Sequence, residues 1–147
     1  MKNPYLILIK DYFGFIFDNS EFRITEERYE PEIFGDWLLV SESNIIQLRI
    51  ICDRSEIFID IKSNKKPTEW MDLNVILQFL TGEEWSYKFP NGKMDDNFVS
   101  YQLNNLSKNL EKYWDQIIHL YNEENILDME QKLIELRKQR SRNFLNH

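Results

Sequence analysis

The chain has 147 residues, of which 42% are hydrophobic and 14% aromatic, and this composition predicts one packed domain over residues 1–147 instead of a disordered chain. The net charge of −7 argues against general binding to nucleic acids or to anionic membranes, because both are polyanions. No apolar stretch approaches the roughly 20 residues that a membrane span needs, so we expect no membrane partner.

The N-terminal segment is apolar and has two interpretations. Residues 4–13 suit a helix that ends near Gly14, although the run 5–9 is apolar enough for a strand. Lys10 and Asp11 interrupt this run and no small-residue cleavage site follows it. We therefore interpret the segment as part of the mature fold and not as a signal peptide.

Strands are predicted between residues 22 and 62, most clearly as a hairpin. Residues 22–30 alternate weakly, and 37–40 form a short apolar run that is typical of a buried strand. Every even position of 46–52 is apolar, and isoleucines occupy the odd positions of 57–61. Since side chains alternate along a strand, each apolar set lies on one face. The polar residues 53–56 between the two runs predict an antiparallel hairpin.

A helix is predicted after the polar break that ends at Pro67. Thr68 is its candidate N-cap, and Gly82 is the candidate residue just beyond its C-terminus. Apolar residues from Trp70 to Leu80 follow helical spacing, and we expect this face to cover the sheet.

Two further helices are predicted in the last third of the chain. Apolar residues from 99 to 120 recur at spacings of three and four, and a shorter series restarts from 126 to 136 after the polar break at 122–125. We expect the first series to pack within the monomer. The fold class is therefore α+β: an antiparallel sheet of about four strands in residues 1–63, covered by helices in 68–142, with two C-terminal helices.

The sequence lacks the residue patterns of common catalytic sites. The four glycines are too far apart for a phosphate-binding loop, and His119 and His147 cannot form a histidine-rich zinc site. Cys52, the only cysteine, belongs to the apolar side of a strand, so we expect a buried and inert thiol in a reducing cytoplasm. We therefore assign no catalytic, cofactor-binding or metal-binding residue, and an enzyme using paired carboxylates is the least favoured function.

One acidic and aromatic segment is the candidate partner-binding site. Aromatic residues surrounded by charges are typical anchors of protein interfaces. The candidate residues are Glu83, Glu84, Trp85, Tyr87, Asp95 and Asp96. The alternative is that the aromatic residues pack as an edge strand or over a helix end, while the acids form an ordinary solvated surface.

The C-terminal segment is basic, unlike the rest of the chain. Residues 131–147 carry a net +4 within the total of −7, which leaves −11 on the remainder. The basic residues are Lys132, Arg137, Lys138, Arg140 and Arg142. They could contact nucleic acid. They could equally oppose the dipole of a helix C-terminus or pack against the acidic part of the same protein.

Several short segments between residues 13 and 80 resemble small bacterial α+β proteins, some of which are similar to immunity proteins of polymorphic-toxin loci. The segments are Phe13-Gly14-Phe15, Gly35-Asp36-Trp37, Asp53-Arg54-Ser55-Glu56, Ile57-Phe58-Ile59-Asp60-Ile61 and Trp70-Met71-Asp72-Leu73. The resemblance implies a cytoplasmic protein that binds and neutralises a toxin, and it implies no catalytic residues.

We therefore expect a non-catalytic protein-binding module with a protein partner, and a basic one, because complementary charge speeds association and improves specificity. The alternatives are a structural or regulatory homo-oligomer and a nucleic-acid-associated protein that uses the basic C-terminal helix. A monomer is favoured over a homodimer, and no cofactor is expected.

Overall fold

The computed structural model describes residues 3–18, 21–90, 96–122 and 124–145. Its fold class is α+β, as the sequence predicts, but the antiparallel sheet has five strands in the order β1-β2-β3-β4-β5 instead of about four. The elements are α1 (Leu6–Tyr12), α2 (Gly14–Phe17), β1 (Arg23–Glu30), β2 (Asp36–Glu42), β3 (Ile46–Asp53), β4 (Glu56–Ser63), β5 (Met71–Asp72), α3 (Leu73–Thr81), α4 (Asp96–Lys112), α5 (Trp114–Asn122) and α6 (Ile126–Leu145).

The predicted hairpin is confirmed as β3 and β4. Asp53 pairs with Glu56, so that Arg54 and Ser55 form a two-residue turn with φ values of 51° and 68°. Two successive left-handed residues match the twist of the flanking strands, although neither residue is a glycine. The backbone N–H of Arg54 donates to Oδ1 of Asp36 at 2.7 Å, and this bond supports the strained turn from the neighbouring strand.

One face of the sheet packs against the helices, as the alternation predicts. Its buried apolar side chains on β3 and β4 are Ile46, Leu48, Ile50, Cys52, Ile57, Ile59 and Ile61. They form a continuous core with apolar residues of α1 to α6. Burial of this face supplies most of the driving force for folding, because the hydrophobic effect scales with the apolar area removed from water.

The predicted series of apolar residues from Val99 to Leu120, here called the seam, packs within one chain. Its buried members are Val99, Leu103, Leu106, Leu110, Ile117 and Leu120. The helix itself is interrupted at Tyr113, whose N–H lies 3.4 Å from the carbonyl of Asn109, so α4 and α5 replace one continuous helix. The spacing of apolar residues predicts which side chains face the core. It does not reveal a local break in the helix when the residues on both sides of the break keep the same helical face.

The predicted start of the third helix is wrong. The N-cap is Asp72, whose side chain accepts the N–H of Asn74 at 2.8 Å, and not Thr68. The hydroxyl of Thr68 instead accepts the N–H of Ser63 at 2.8 Å, because β5 comes between the polar break and α3. Gly82 is confirmed as the left-handed terminal residue, with φ of 76°.

Trp70 also lies outside the helix that was predicted to contain it. Its ring packs under the guanidinium of Arg49, with 4.4 Å from Cζ to the ring centroid, and Nζ of Lys62 lies 5.0 Å from the same centroid. Cationic groups over an indole face make a favourable electrostatic contact. Trp70 is therefore part of the surface of the sheet and not of the helical cover.

Side chains close much of the outer edge of β4, where β5 is only two residues long. Oε1 of Gln102 accepts the N–H of Ile57 at 2.8 Å, and the hydroxyl of Tyr87 accepts the N–H of Ile59 at 3.1 Å. Strand edges with unpaired amides invite association with other strands. These two bonds satisfy the amides of Ile57 and Ile59, and they also tie α4 and the segment that follows α3 to the edge of the sheet.

Candidate partner-binding site

Residues 83–89, here called the strap, run from the end of α3 along the edge of β4. Tyr87 anchors the strap near its centre. Its hydroxyl donates to Oδ2 of Asp72 at 2.6 Å and accepts the N–H of Ile59 at 3.1 Å. Burial raises the pKa of Asp72, and the bonds from Tyr87 and from the N–H of Asn74 oppose that rise by stabilising the carboxylate.

Trp85 provides a second anchor of the strap. Its indole Nε1–H donates to Oγ1 of Thr81 at 2.9 Å, and its ring makes an edge contact with Tyr113, with 5.6 Å between centroids. Arg140 of α6 clamps the strap by donating to the carbonyl of Trp85 at 2.7 Å and to Oε1 of Gln78. These contacts hold the strap in a defined position.

A cleft of about 290 Å³ lies between the strap and α4, here called the strap cleft. Its wall includes the amide side chains of Gln102, Asn105 and Asn109, which share one face of α4 because they are three and four residues apart. Asn74 of α3 contributes a fourth amide. The arrangement offers hydrogen-bonding groups in a concave, partly apolar site, which is typical of ligand and side-chain pockets.

Asn74 is the most informative residue of the strap cleft. The residue is only 4% exposed, yet its side chain makes no hydrogen bond to any other residue that the structure describes. Among the described residues, the fully buried side-chain polar atoms without a partner are Nδ2 of Asn3 and Nε1 of Trp37, so the amide of Asn74 still reaches the open space of the cleft. A polar group bound in the cleft would have this amide as a hydrogen-bond partner.

Glu83 and Glu84 place negative charge at the cleft. Both line it, both are exposed, and neither forms an ion pair within the described part of the chain. Lys88 of the strap also lines the cleft and offsets part of this charge. Carboxylates without a cationic partner beside a preformed cleft are available to a positively charged ligand.

The structure brings together four of the six residues that the sequence analysis selected. Glu83, Glu84, Trp85 and Tyr87 all line the strap cleft. Asp95 and the side chain of Asp96 lie outside the described residues, although Asp96 is the first residue of α4. Trp85 packs over the end of α3, as the alternative interpretation predicted, whereas Tyr87 contacts the edge of β4 through its hydroxyl and forms no strand. Both residues therefore combine a structural role with a position in the cleft wall.

The amides of the strap cleft were not predicted from the sequence. Gln102, Asn105 and Asn109 follow the helical spacing of the apolar seam, and this regularity was an available signal for a polar stripe on the same helix. Asn74 gave no comparable signal, because a single asparagine inside a helix is common and its neighbours come from distant parts of the chain.

The strap also extends an apolar row on the outer face of the sheet. Leu38, Ile51 and Phe58 are directly opposite one another across β2, β3 and β4, and all three are partly exposed. The ring of Phe58 packs against those of Tyr87 and Phe89, with centroid distances of 5.0 and 5.8 Å. The row therefore continues from the sheet onto the strap.

Two arginines of the basic C-terminal helix contact the acidic part of the protein itself. Arg137 forms an ion pair with Glu69 at 3.1 Å, and Arg140 clamps the strap as described above. Lys138 lies 3.8 Å from Glu135, its neighbour along α6. These contacts agree with the alternative interpretation of the basic segment, in which its charged side chains pack against the same chain.

Comparison of the chain with protein-family models, curated proteins and solved structures finds no match. Among the residues that the structure describes, no helix is long and apolar enough to cross a membrane. The same residues contain no group of three or more histidine, cysteine, aspartate or glutamate side chains placed to hold a metal ion.

Proposed function

We propose that this protein is a non-catalytic protein-binding module that captures a basic partner at the strap cleft. The observation that carries the proposal is the pairing of two exposed carboxylates, Glu83 and Glu84, with a preformed cleft that the amide of Asn74 lines. Preorganised sites bind more tightly, because less conformational freedom is lost on association.

The charge distribution supports a basic partner. The chain outside residues 131–147 carries −11, and Arg137 and Arg140 of the basic helix are directed at groups of the same chain. An acidic surface steers a cationic protein toward the site and rejects acidic competitors. Neutralisation of a basic toxin in the bacterial cytoplasm is the form of this function that we propose, since a chain with the single thiol of Cys52 suits a reducing compartment.

The two alternative functions have less support. A homo-oligomer assembled through the seam of α4 and α5 would need those side chains at the surface, and they are buried within one chain. Nucleic-acid binding by α6 would have to compete with the contacts that Arg137 and Arg140 already make. Binding of a protein at the strap cleft requires no such rearrangement.

Charge reversal tests the proposal once a partner is in hand. The tagged protein would be used to isolate a partner from its own cells, the partner would be identified by mass spectrometry, and its Kd would be measured with purified components. Glu83→Lys/Glu84→Lys should weaken binding by about tenfold or more while leaving the thermal melt unchanged, because the exposed carboxylates support no described contact.

A matched control uses Glu30→Lys/Glu32→Lys, which changes the net charge equally at the opposite edge of the sheet. This pair should alter Kd by less than about twofold, since charges farther apart than the Debye length are screened at physiological salt. Equal weakening by both pairs would show that only the net charge matters, and loss of binding with the control alone would place the site elsewhere.

A further inference from the structure

We infer that the strap cleft receives one arginine side chain of the partner. This inference rests on the proposed function and specifies the chemical group that the site recognises. A volume of about 290 Å³ lies at the lower end of the range for ligand pockets, which is roughly 300–1,000 Å³. Such a space suits a single long side chain better than a whole cofactor.

The amides of the cleft include acceptor oxygens for a guanidinium group. Gln102 is already engaged, because Oε1 accepts the N–H of Ile57 and Nε2 donates to the carbonyls of Ser55 and Phe98. The side-chain amides of Asn74, Asn105 and Asn109 also line the cleft, and each has one acceptor oxygen. A planar guanidinium has five N–H donors in a fixed fork, so it can satisfy several acceptors at once.

Charge and ring chemistry favour arginine over other donors. Glu83 and Glu84 outnumber Lys88 among the charged residues of the cleft wall, so a bound cation is partly neutralised there. Trp85 adds an aromatic surface, and guanidinium groups pack on aromatic rings. A lysine ammonium is compact and strongly hydrated, and it has only three donors, so it would leave some acceptors unpaired.

The protein itself shows this kind of contact on the strap. Asn74, Ser86 and Tyr87 line both the strap cleft and a neighbouring depression that contains Arg140. There Arg140 donates to the side-chain oxygen of Gln78 and to the carbonyl of Trp85. Amide and carbonyl oxygens around the strap thus already bind one guanidinium, and the acidic strap cleft offers the same acceptor types to a second.

The test uses N-acetyl-arginine methylamide as the probe in a titration followed by nuclear magnetic resonance of the ¹⁵N-labelled protein. We expect saturable shifts of the side-chain NH₂ signals of Asn74 and Asn109 and of the indole N–H of Trp85. The lysine analogue and the neutral citrulline analogue should bind about tenfold more weakly, because each loses charge-assisted bonds. No saturable shift at these residues, or equal binding of the lysine analogue, would overturn the inference.

Variants separate recognition from folding. Asn74→Leu and Asn109→Leu should each reduce arginine binding by about tenfold, whereas Asn104→Leu, on α4 but outside the cleft wall, should leave it unchanged. Asn109 is only partly buried, so its variant serves if Asn74→Leu unfolds. An unchanged affinity for the arginine probe in the folded variants would also overturn the inference.

The two proposals fail in different ways. If the arginine probe does not bind but Glu83→Lys/Glu84→Lys still abolishes partner capture, the arginine pocket is wrong and the proposed function stands. If the probe binds while the charge reversal has no effect on partner affinity, the cleft recognises arginine but is not the interface. If the arginine probe does not bind and the charge reversal has no effect on partner affinity, the strap cleft is not a binding site.

Discussion

Replacing Tyr87 with phenylalanine tests whether the strap is held in place before binding. The substitution keeps the ring that packs against Phe58 and removes only the hydroxyl. It thereby deletes the 2.6 Å bond to the carboxylate of Asp72 and leaves the N–H of Ile59 without its 3.1 Å acceptor. A hydrogen bond to a charged group contributes about 1.5–3 kcal/mol, so we expect the free energy of unfolding to fall by about 2–3 kcal/mol.

Urea denaturation followed by tryptophan fluorescence measures this change, because the midpoint shifts while the slope stays constant for a pure stability effect. Tyr101→Phe on the exposed side of α4 is the matched control and should change stability by less than about 0.5 kcal/mol. A loss below about 0.5 kcal/mol for Tyr87→Phe would refute the reasoning, since it would mean that the hydroxyl does not anchor the strap.

Three further predictions concern the core and the start of α3. Burial raises the pKa of Cys52 to about 12, so thiol labelling at neutral pH should be slow in the folded protein and fast in urea; rapid native labelling would contradict this. Because burial raises the pKa of Asp72, its ionisation opposes folding, and Asp72→Asn, which can still accept from Asn74, should gain stability relative to the wild type as the pH rises from about 4 to 7. A constant difference in urea midpoints across that range would argue against a buried carboxylate. Leu110→Ala should cost about 2–5 kcal/mol in thermal or urea unfolding, whereas Leu127→Ala at the surface should cost under about 1 kcal/mol; similar losses would show that the seam is not a core.

Local alternation was sufficient to predict the centre of the fold. The hairpin of β3 and β4 depends on a side-chain period of two and on a short polar turn, and both are visible within about 20 residues of sequence. The helical seam from Val99 to Leu120 is equally local in origin. These features were predicted because burial of one face determines the pattern directly.

Features that depend on distant residues were not predictable in the same way. Thr68 has the chemistry of an N-cap, but its hydroxyl is used by Ser63, and the two-residue strand β5 shifts the helix start to Asp72. The strap was recognised as an unusual segment, but its anchors depend on distant residues. Tyr87 bonds to Ile59, which is 28 positions away, and Trp85 bonds to Arg140, which is 55 positions away. Only the folded chain brings Asn74 to the same cleft as Glu83.

Hydrogen exchange in the complex with the identified partner tests the central claim most directly. If the strap cleft is the interface, partner binding should slow exchange of backbone amides in residues 83–89 and in the cleft-lining part of α4, and it should leave residues 137–142 of α6 unchanged. Protection confined to 137–142, or to the turn between β1 and β2, would contradict binding at the strap cleft.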